Sequence, residues 1–448
     1  MAAAISRKEI SPLELIHQHL ARVEHLNPKL RMFVSLFADE ATELARRAEA
    51  GVPVGPLHGI PVTLKDSFDL AGHPTLCGSR FRLGHKAAED STAAARLKAA
   101  GAILLGKTAC PEFLANYETD SHISGPVANP WDLARTAGGS SGGEAAAIAS
   151  HCSAAGVGSD GGGSIRLPAH FCGIAGLKPT PGRVSAAGHF PECGYLGGMM
   201  GVAGPMARTV ADVDLLFRVL SGFDSRDPLS APVPVRRPEL DSLSIGMVEQ
   251  WGGAALSKEV QEALHQAARL LQSDGFPIET AAWKCTEEIF DLWLFFFSIV
   301  PKPFTRNRTE GHRETAHWTG LELYDSVAHL PDPSGRDIVE KLTARDHLRL
   351  RFLSLLERHQ VLLAPVSATT AFPHRQRPEG GLLEWMRPML AANLFGLPAL
   401  TVPILAGGDR LPCGVQLIGR PYREEVLLAL GRRLERLRGP FPSPPPIQ

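Results

Sequence analysis

Three observations predict an α/β fold for this chain. Capped helical patterns alternate along it with short, β-rich apolar runs. Of its 448 residues, 44% are apolar and 21% charged, the profile of a globular protein with a large core. Two Gly-rich loops, each centred on a serine, bracket one Ala-rich helical run in the stretch 138–166.

In chain order, Ser11, Pro12 and Glu14 fit a helix start, with Ser11 as N-cap and proline at the first helical position. Leu13, Ile16, Leu20 and Val23 recur at helical spacing up to Asn27-Pro28. A second helix, 38–50, ends at Gly51. Residues 58–66 form a β-rich run ending in Lys65 and Asp66, which reads either as a salt bridge at a strand terminus or as part of a site. A helix opens at Ser91-Thr92 and runs to Gly101, and 102–105 read as a buried strand. Residues 172–178 and 201–206 read as tight strands and turns under the serine loops, and Thr209 caps a helix through 220. After a linker at 222–240 come a strand (243–248), an amphipathic helix (258–272), a charged helix (337–358) and a strand (361–364). Buried strands are expected at 393–402 and 415–418, and a last helix at 424–436. Trp283, Trp293, Phe295, Phe296, Phe297, Phe304 and Trp318 crowd 283–330, either as core or as the lining of a pocket for apolar substrates.

Composition excludes several function classes. Net charge is −1, from 46 basic and 47 acidic side chains, so there is no electrostatic case for nucleic acid or a membrane surface. Seven scattered cysteines (77, 110, 152, 172, 193, 285 and 413) form no Cys-x-x-Cys pair, which argues for a reducing cytoplasm and against a disulfide framework or structural zinc. The N-terminal residues lack the apolar core of a signal peptide. The aromatic run 289–300 is too short to span a bilayer.

Three motifs invite a function. Residues 101–108 match G-x-x-x-x-G-K-T, but their apolar centre reads as strand, whereas a phosphate-cradling loop follows its strand. Residues 156–161 match G-x-G-x-x-G, yet a dinucleotide site needs a helix to begin there, and Pro168 limits one. Residues 138–142 match the G-x-S-x-G nucleophile elbow, which requires an Asp and then a His downstream; 17 histidines leave that open.

The chemistry of the serine loops is more specific. Glycines around Ser140 and Ser164, 24 positions apart, let successive backbone N–H groups converge on one point, where they stabilise a negative oxygen. Two flexible surface loops are the alternative; two such clusters about one helix favour a serine-based active site.

With these residues in view, the chain resembles the amidase signature family over nearly its whole length. The resemblance rests on Gly59-Ile-Pro-Val-Thr-Leu-Lys65-Asp66, Asn129-Pro-Trp, Gly138-Gly-Ser-Ser-Gly-Gly143, Gly158-Ser-Asp-Gly-Gly-Gly-Ser-Ile-Arg166, Gly176-Leu-Lys-Pro-Thr180 and Gly414-Val-Gln-Leu-Ile-Gly419. Details at Gly143-Glu144 and Phe171-Cys172 are similar to the fatty-acid-amide-hydrolase, aryl amidase and urethanase branch. The resemblance implies an α/β fold with a large twisted mixed sheet covered by helices on both faces. It implies one domain over 1–448 with a variable substrate-pocket insert at about 283–345.

It also implies a Ser–cis-Ser–Lys triad. Ser164 would be the nucleophile, Ser140 a bridging, substrate-contacting serine after a cis peptide bond, and Lys65 the base. Backbone N–H groups of Gly161, Gly162, Gly163 and Ser164 would form the oxyanion hole. Gly161 departs from the Thr or Ile of many members and is expected to loosen that loop. Leu114 would face the substrate through its carbonyl, and Ser141, Asp160 and Arg166 would support the loop. A lysine of ordinary pKa, about 10.4, is charged at neutral pH, so Lys65 needs an apolar setting with Asp66 turned away. No metal and no cofactor are implied. The expected activity is cleavage of carboxylic amides through an acyl-enzyme, extending to esters and aryl carbamates (urethanes). Expected alongside it are a small-molecule substrate, a monomer or homodimer, no nucleic acid and no membrane. A glutaminase subunit of a tRNA-dependent amidotransferase is the alternative.

Overall fold

The computed structural model describes residues 1–192, 198–241, 243–378, 381, 383–407 and 410–447. Eleven of the described strands form one mixed sheet. Their spatial order is Phe33–Leu36, Ile103–Thr108, Pro61–Lys65, Ala155–Asp160, Val202–Ala207, Ala175–Lys178, Ala399–Gly407, Arg410–Gly419, Val361–Pro365, Ile245–Met247 and Ile278–Thr280. Pro61–Lys65 runs parallel to both Ile103–Thr108 and Ala155–Asp160. The carboxyl ends of these three strands therefore bring Lys65, Thr108 and Asp160 to one edge, where open α/β sheets bind ligands.

Strand pleat sorts side chains between two faces. Leu104, Val62 and Leu64 join the core under the helices Thr92–Ala99, Val210–Leu220, Lys258–Ser273 and Glu424–Arg438. Ile103 and Leu105 point the other way, to Ile16, Val23 and Leu26 of the helix Pro12–Leu30 and to Ala145 and Ile148 of Gly142–Ala149. The sheet is covered on both faces, as expected.

Several expected elements shift. Ser11 and Glu14 form a reciprocal capping box, but the first long helix continues through Pro28 to Leu30. Pro28 and Glu24, the residue whose carbonyl is left without an N–H partner, are both exposed on the solvent side of the helix. The segment expected as a strand at 393–402 is instead the end of a helix, Arg387–Leu394, then a turn with Gly396 at φ 64°, then the strand Ala399–Gly407. A continuous apolar run does not distinguish these alternatives by periodicity. A helix, Arg166–Cys172, also starts just after the second serine; Pro168 sits in its first turn, where no N–H partner is needed.

Residues 101–108 contain the strand Ile103–Thr108 and no phosphate loop. Its Lys107 is fully buried and 2.8 Å from Asp66, and it also donates to the Pro74 carbonyl (2.6 Å) and Thr75 Oγ1 (2.9 Å). Between Ile278–Thr280 and Val361–Pro365 the chain forms helices Thr286–Leu294, Lys302–Thr309, Trp318–Val327 and Gly335–Arg358, with a π-helical turn at Phe295–Ile299.

Removing one partner of a buried ion pair strands the other charge, at a cost of about 3–5 kcal/mol. Lys107→Ala should therefore lower the unfolding free energy by about that amount in urea titration; a loss under about 1 kcal/mol would contradict the pairing with Asp66.

Candidate active site

Lys65 ends the central parallel strand with no exposed surface. Its Nζ donates to Ser140 Oγ at 2.7 Å and to Ser159 Oγ at 3.0 Å. Asp66, next in sequence, turns the other way: it pairs with Lys107 and accepts from the backbone N–H groups of Leu76 (3.2 Å) and Cys77 (3.1 Å). Of the two readings open for Lys65 and Asp66, a mutual salt bridge is thus ruled out. Burial lowers the Lys65 pKa from 10.5 to about 8, against the opposing pull of Cys110, Cys77, Asp160 and Glu144.

Glu144 lies beneath, also fully buried, with its carboxyl occupied by the hydroxyls of Thr63 and Thr108, the latter at 2.7 Å. Burial raises its pKa to about 7.

The Gly139–Ser140 peptide is cis, as the resemblance implies. Ser141 joins the two loops: its N–H donates to the Ser164 carbonyl at 3.2 Å and its hydroxyl to the Ser159 carbonyl at 3.3 Å. Ser164 is 7% exposed. Among the described residues its hydroxyl makes no hydrogen bond, so Ser140 is joined here to Lys65 but not yet to Ser164.

The loop between Asp160 and Arg166 is built around one carboxylate. Asp160 accepts from Gly163 N–H (2.7 Å), Ile165 N–H (3.1 Å), Asn393 Nδ2 (2.9 Å) and Arg166 Nε (3.0 Å). Burial alone would raise this carboxyl, but Arg166, with Lys178 and Asn393, holds it well below the usual carboxylate range. Arg166 donates onward to the Met389 carbonyl and to Gln416 Oε1, both at 2.9 Å. Because Asp160 takes the Gly163 N–H, the expected set of four oxyanion donors is reduced. Among the described residues, the N–H groups of Gly161, Gly162 and Ser164 have no hydrogen-bond partner.

Gly161 does not loosen this loop. Its carbonyl accepts from Trp293 Nε1 at 3.1 Å, and that of Gly162 from the Tyr117 hydroxyl at 3.0 Å. A Cβ at Gly161 would lie 2.9 Å from the Phe297 ring, so the space a Thr or Ile would need is filled by an aromatic side chain. Trp293 and Phe297 stack with centroids 4.6 Å apart and planes 16° from parallel. The aromatic cluster serves as both core and wall. Trp293, Phe295 and Phe296 are buried, whereas Phe297 and Phe304 line a cavity of about 460 Å³ with Phe113 and Phe190.

Leu114 lies in a short turn, Glu112–Leu114, where Phe113 (φ 53°) and Leu114 (φ 62°) both adopt left-handed backbone. Buried Glu112 holds the turn, accepting from Ser79 Oγ (2.7 Å) and His317 N–H (2.6 Å).

Ser159, Glu144, Glu112, Tyr117, Trp293, Asn393 and Gln416 were not read from the sequence as site residues. Ser159 and Glu144 adjoin the serine motifs and carry a local signal. The others reach the loop from segments far away in the chain. The six described cysteines outside 193–197 are free and buried; Cys193 lies outside the described residues.

The family model described as Amidase matches residues 14–428. The chain belongs to the amidase signature family. Its chemistry is hydrolysis at carbon–nitrogen bonds. It is 32% identical to a glutamyl-tRNA(Gln) amidotransferase subunit of Methylacidiphilum infernorum, covering 98% of this chain and 94% of that protein. Identity to the same subunit of a Roseiflexus species is 34%, covering 97% and 94%. Among solved structures, a chain from an inhibitor-bound complex of an s-triazine catabolic enzyme superposes with a TM-score of 0.88 at 27% identity, covering 96% of each chain. A bacterial aryl acylamidase gives 0.83 at 29% (97% and 95%), and the glutamyl-tRNA(Gln) amidotransferase subunit of Thermotoga maritima 0.79 at 26% (97% and 94%).

These relatives correct one expectation. The expectation of a small-molecule substrate alone, with no nucleic acid and no partner beyond a second copy, is overturned by their names, which are those of one component of an amidotransferase for glutamyl-tRNA(Gln). A net charge near zero bears on direct electrostatic capture of nucleic acid, but not on assembly with other proteins. Among the described residues, no helix is long and apolar enough to cross a membrane.

Lys65 should deprotonate near pH 8, and Glu144→Gln, which removes a charge that favours the ammonium, should move that titration to lower pH. ¹⁵N NMR of the lysine Nζ checks both; a titration at the ordinary 10.5 would contradict the burial.

Proposed function

We propose that this protein cleaves the C–N bond of a carboxylic amide through an acyl-enzyme on Ser164. One observation carries the reading: a lysine with no exposed surface, free of any carboxylate contact among the described residues, meets Ser140 at 2.7 Å beside the Ser164 loop. Neutral Lys65 takes the Ser140 proton while Ser140 takes that of Ser164, whose Oγ attacks the carbonyl carbon. The N–H groups of Gly161, Gly162 and Ser164 receive the oxyanion, each such donor contributing about 3 kcal/mol in the transition state. The proton then returns through Ser140 to the leaving nitrogen, and water releases the acyl group by the same relay. Asp160, Arg166 and Ser141 position the loop, and the Leu114 turn borders the substrate. Residues 1–448 act as one amidase domain, with 283–345 as its pocket-forming insert.

For the substrate, relatives at 32–34% identity over nearly their full length support a glutaminase role in a tRNA-dependent amidotransferase assembly, with ammonia as the leaving group. A second reading is favoured by the aromatic cavity of about 460 Å³ and by the likeness to an aryl acylamidase. In it, aryl amides are the substrates, with esters and aryl carbamates cleaved by the same acyl-enzyme.

A fluorophosphonate probe should label Ser164, and Ser164→Ala should abolish labelling and turnover; label on Ser140 would restore the nucleophile-elbow reading. Ammonia release from L-glutamine, with and without co-expressed partner subunits, should exceed anilide cleavage; the opposite order would favour the aryl-amide reading. Lys65→Ala should depress amide cleavage more than cleavage of an ester with a good leaving group, because only the amine needs a proton on departure. Equal losses on the two substrates would contradict Lys65 as the proton carrier.

A further inference from the structure

The cavity beside the glycine loop is lined by one guanidinium, that of Arg308, and a second, that of Arg82, lies over its Phe190 ring. Arg308 lines it and lies over two of its rings, 4.9 Å from the Phe113 centroid and 5.4 Å from that of Phe190. Arg82 covers Phe190 at 3.7 Å and donates through Nε to the Thr75 carbonyl at 2.6 Å. Among the described residues no carboxylate makes an ion pair with either group, although Glu192 also lines the cavity. Other arginines of the same segment are neutralised: Arg306 meets Asp332 at 2.7 Å and Arg313 meets Asp325 at 2.5 Å. Burial lowers the Arg82 pKa, against the opposing pulls of Cys77, Asp69 and Asp66, and the field of Arg308 adds to the lowering. A guanidinium stacked on an aromatic face keeps its in-plane N–H fork free for a second, planar partner.

This cavity shares walls with the site. Phe113 immediately precedes Leu114 in the left-handed turn, and Phe297, on another wall, is the ring packed against Gly161.

We propose that Arg308, assisted by Arg82 on the shared Phe190 ring, binds a carboxylate carried by one arm of the amide substrate. The inference rests on the C–N cleavage reading above and adds to it a residue that selects the substrate. Aromatic walls accept the apolar part of that arm, and the guanidinium fork matches a carboxylate with two parallel hydrogen bonds.

The test compares two matched pairs of amides on the full-length protein. One pair places the charge on the acyl arm: glutaryl-4-nitroanilide against its neutral ω-carboxamide. The other places it on the amine arm: N-acetyl-4-aminobenzoate against N-acetyl-4-aminobenzamide. In one of the pairs the wild-type protein should favour the carboxylate by at least about tenfold in kcat/KM, mainly through KM. Arg308→Gln should collapse that ratio to within about twofold, and Arg308→Lys should restore part of it. A wild-type ratio near one in both pairs, or a ratio that survives Arg308→Gln, would overturn the subsite while leaving C–N cleavage intact. Failure to cleave any of the four compounds while ammonia is still released from L-glutamine would overturn the subsite alone; failure on L-glutamine as well would overturn both readings.

Discussion

A lysine amine kept out of water and away from carboxylates is the constraint on which the rest of the site depends. Neither condition arises by default. Asp66 is its neighbour in sequence, and the fields of Glu144 and Asp160 favour its ammonium form. The fold engages Asp66 and Glu144 elsewhere. Lys107, from the adjoining parallel strand, takes Asp66, and the hydroxyls of Thr63 and Thr108 take Glu144. Two adjoining parallel strands make this possible: Ile103–Thr108 supplies Lys107 and Thr108, and Pro61–Lys65 supplies Thr63. With the carboxylates engaged elsewhere, Lys65 is left to two serine hydroxyls.

The second serine loop relies on a different electrostatic device, a buried carboxylate used as a clasp. Asp160 gathers backbone N–H groups from both ends of its own loop and an arginine from the helix that follows. Arg166 then carries the load to the Met389 carbonyl and to Gln416, which is itself bonded to the Pro365 and Pro388 carbonyls at 2.8 Å. The glycine backbone is therefore held in place without side chains of its own, and among the described residues three of its N–H groups have no partner. Preorganised donors of this kind need little reorganisation when a negative oxygen forms.

Much of this was legible in the sequence, for local reasons. Lys65, Ser140 and Ser164 stand in short motifs whose glycines restrict the backbone, and the helix starts at Ser11, Ser91 and Thr209 carry their caps beside them. What was not legible depended on distant packing. That the Gly163 N–H belongs to Asp160 follows from the shape of the loop, and that Gly161 is tightly enclosed follows from a ring more than a hundred positions away. The helix Arg387–Leu394 was hidden because its buried residues continue without a break into the next strand, leaving no period to read. The expectation of a chain without partner proteins conflicts with the names of its relatives because overall charge balance carries no information about a specific interface.

The stacked pair Trp293 and Phe297 joins the aromatic segment 283–330 to the glycine loop 161–164. One ring nitrogen holds the Gly161 carbonyl, and the other ring fills the space beside that residue's Cα. Pocket shape and catalytic geometry are thus not separable modules in this protein. A chain with a branched residue in place of Gly161 has no room for Phe297, and one without Phe297 leaves a void beside Gly161. Exchange of this aromatic segment between relatives is a two-point problem, in which the glycine and the ring must travel together.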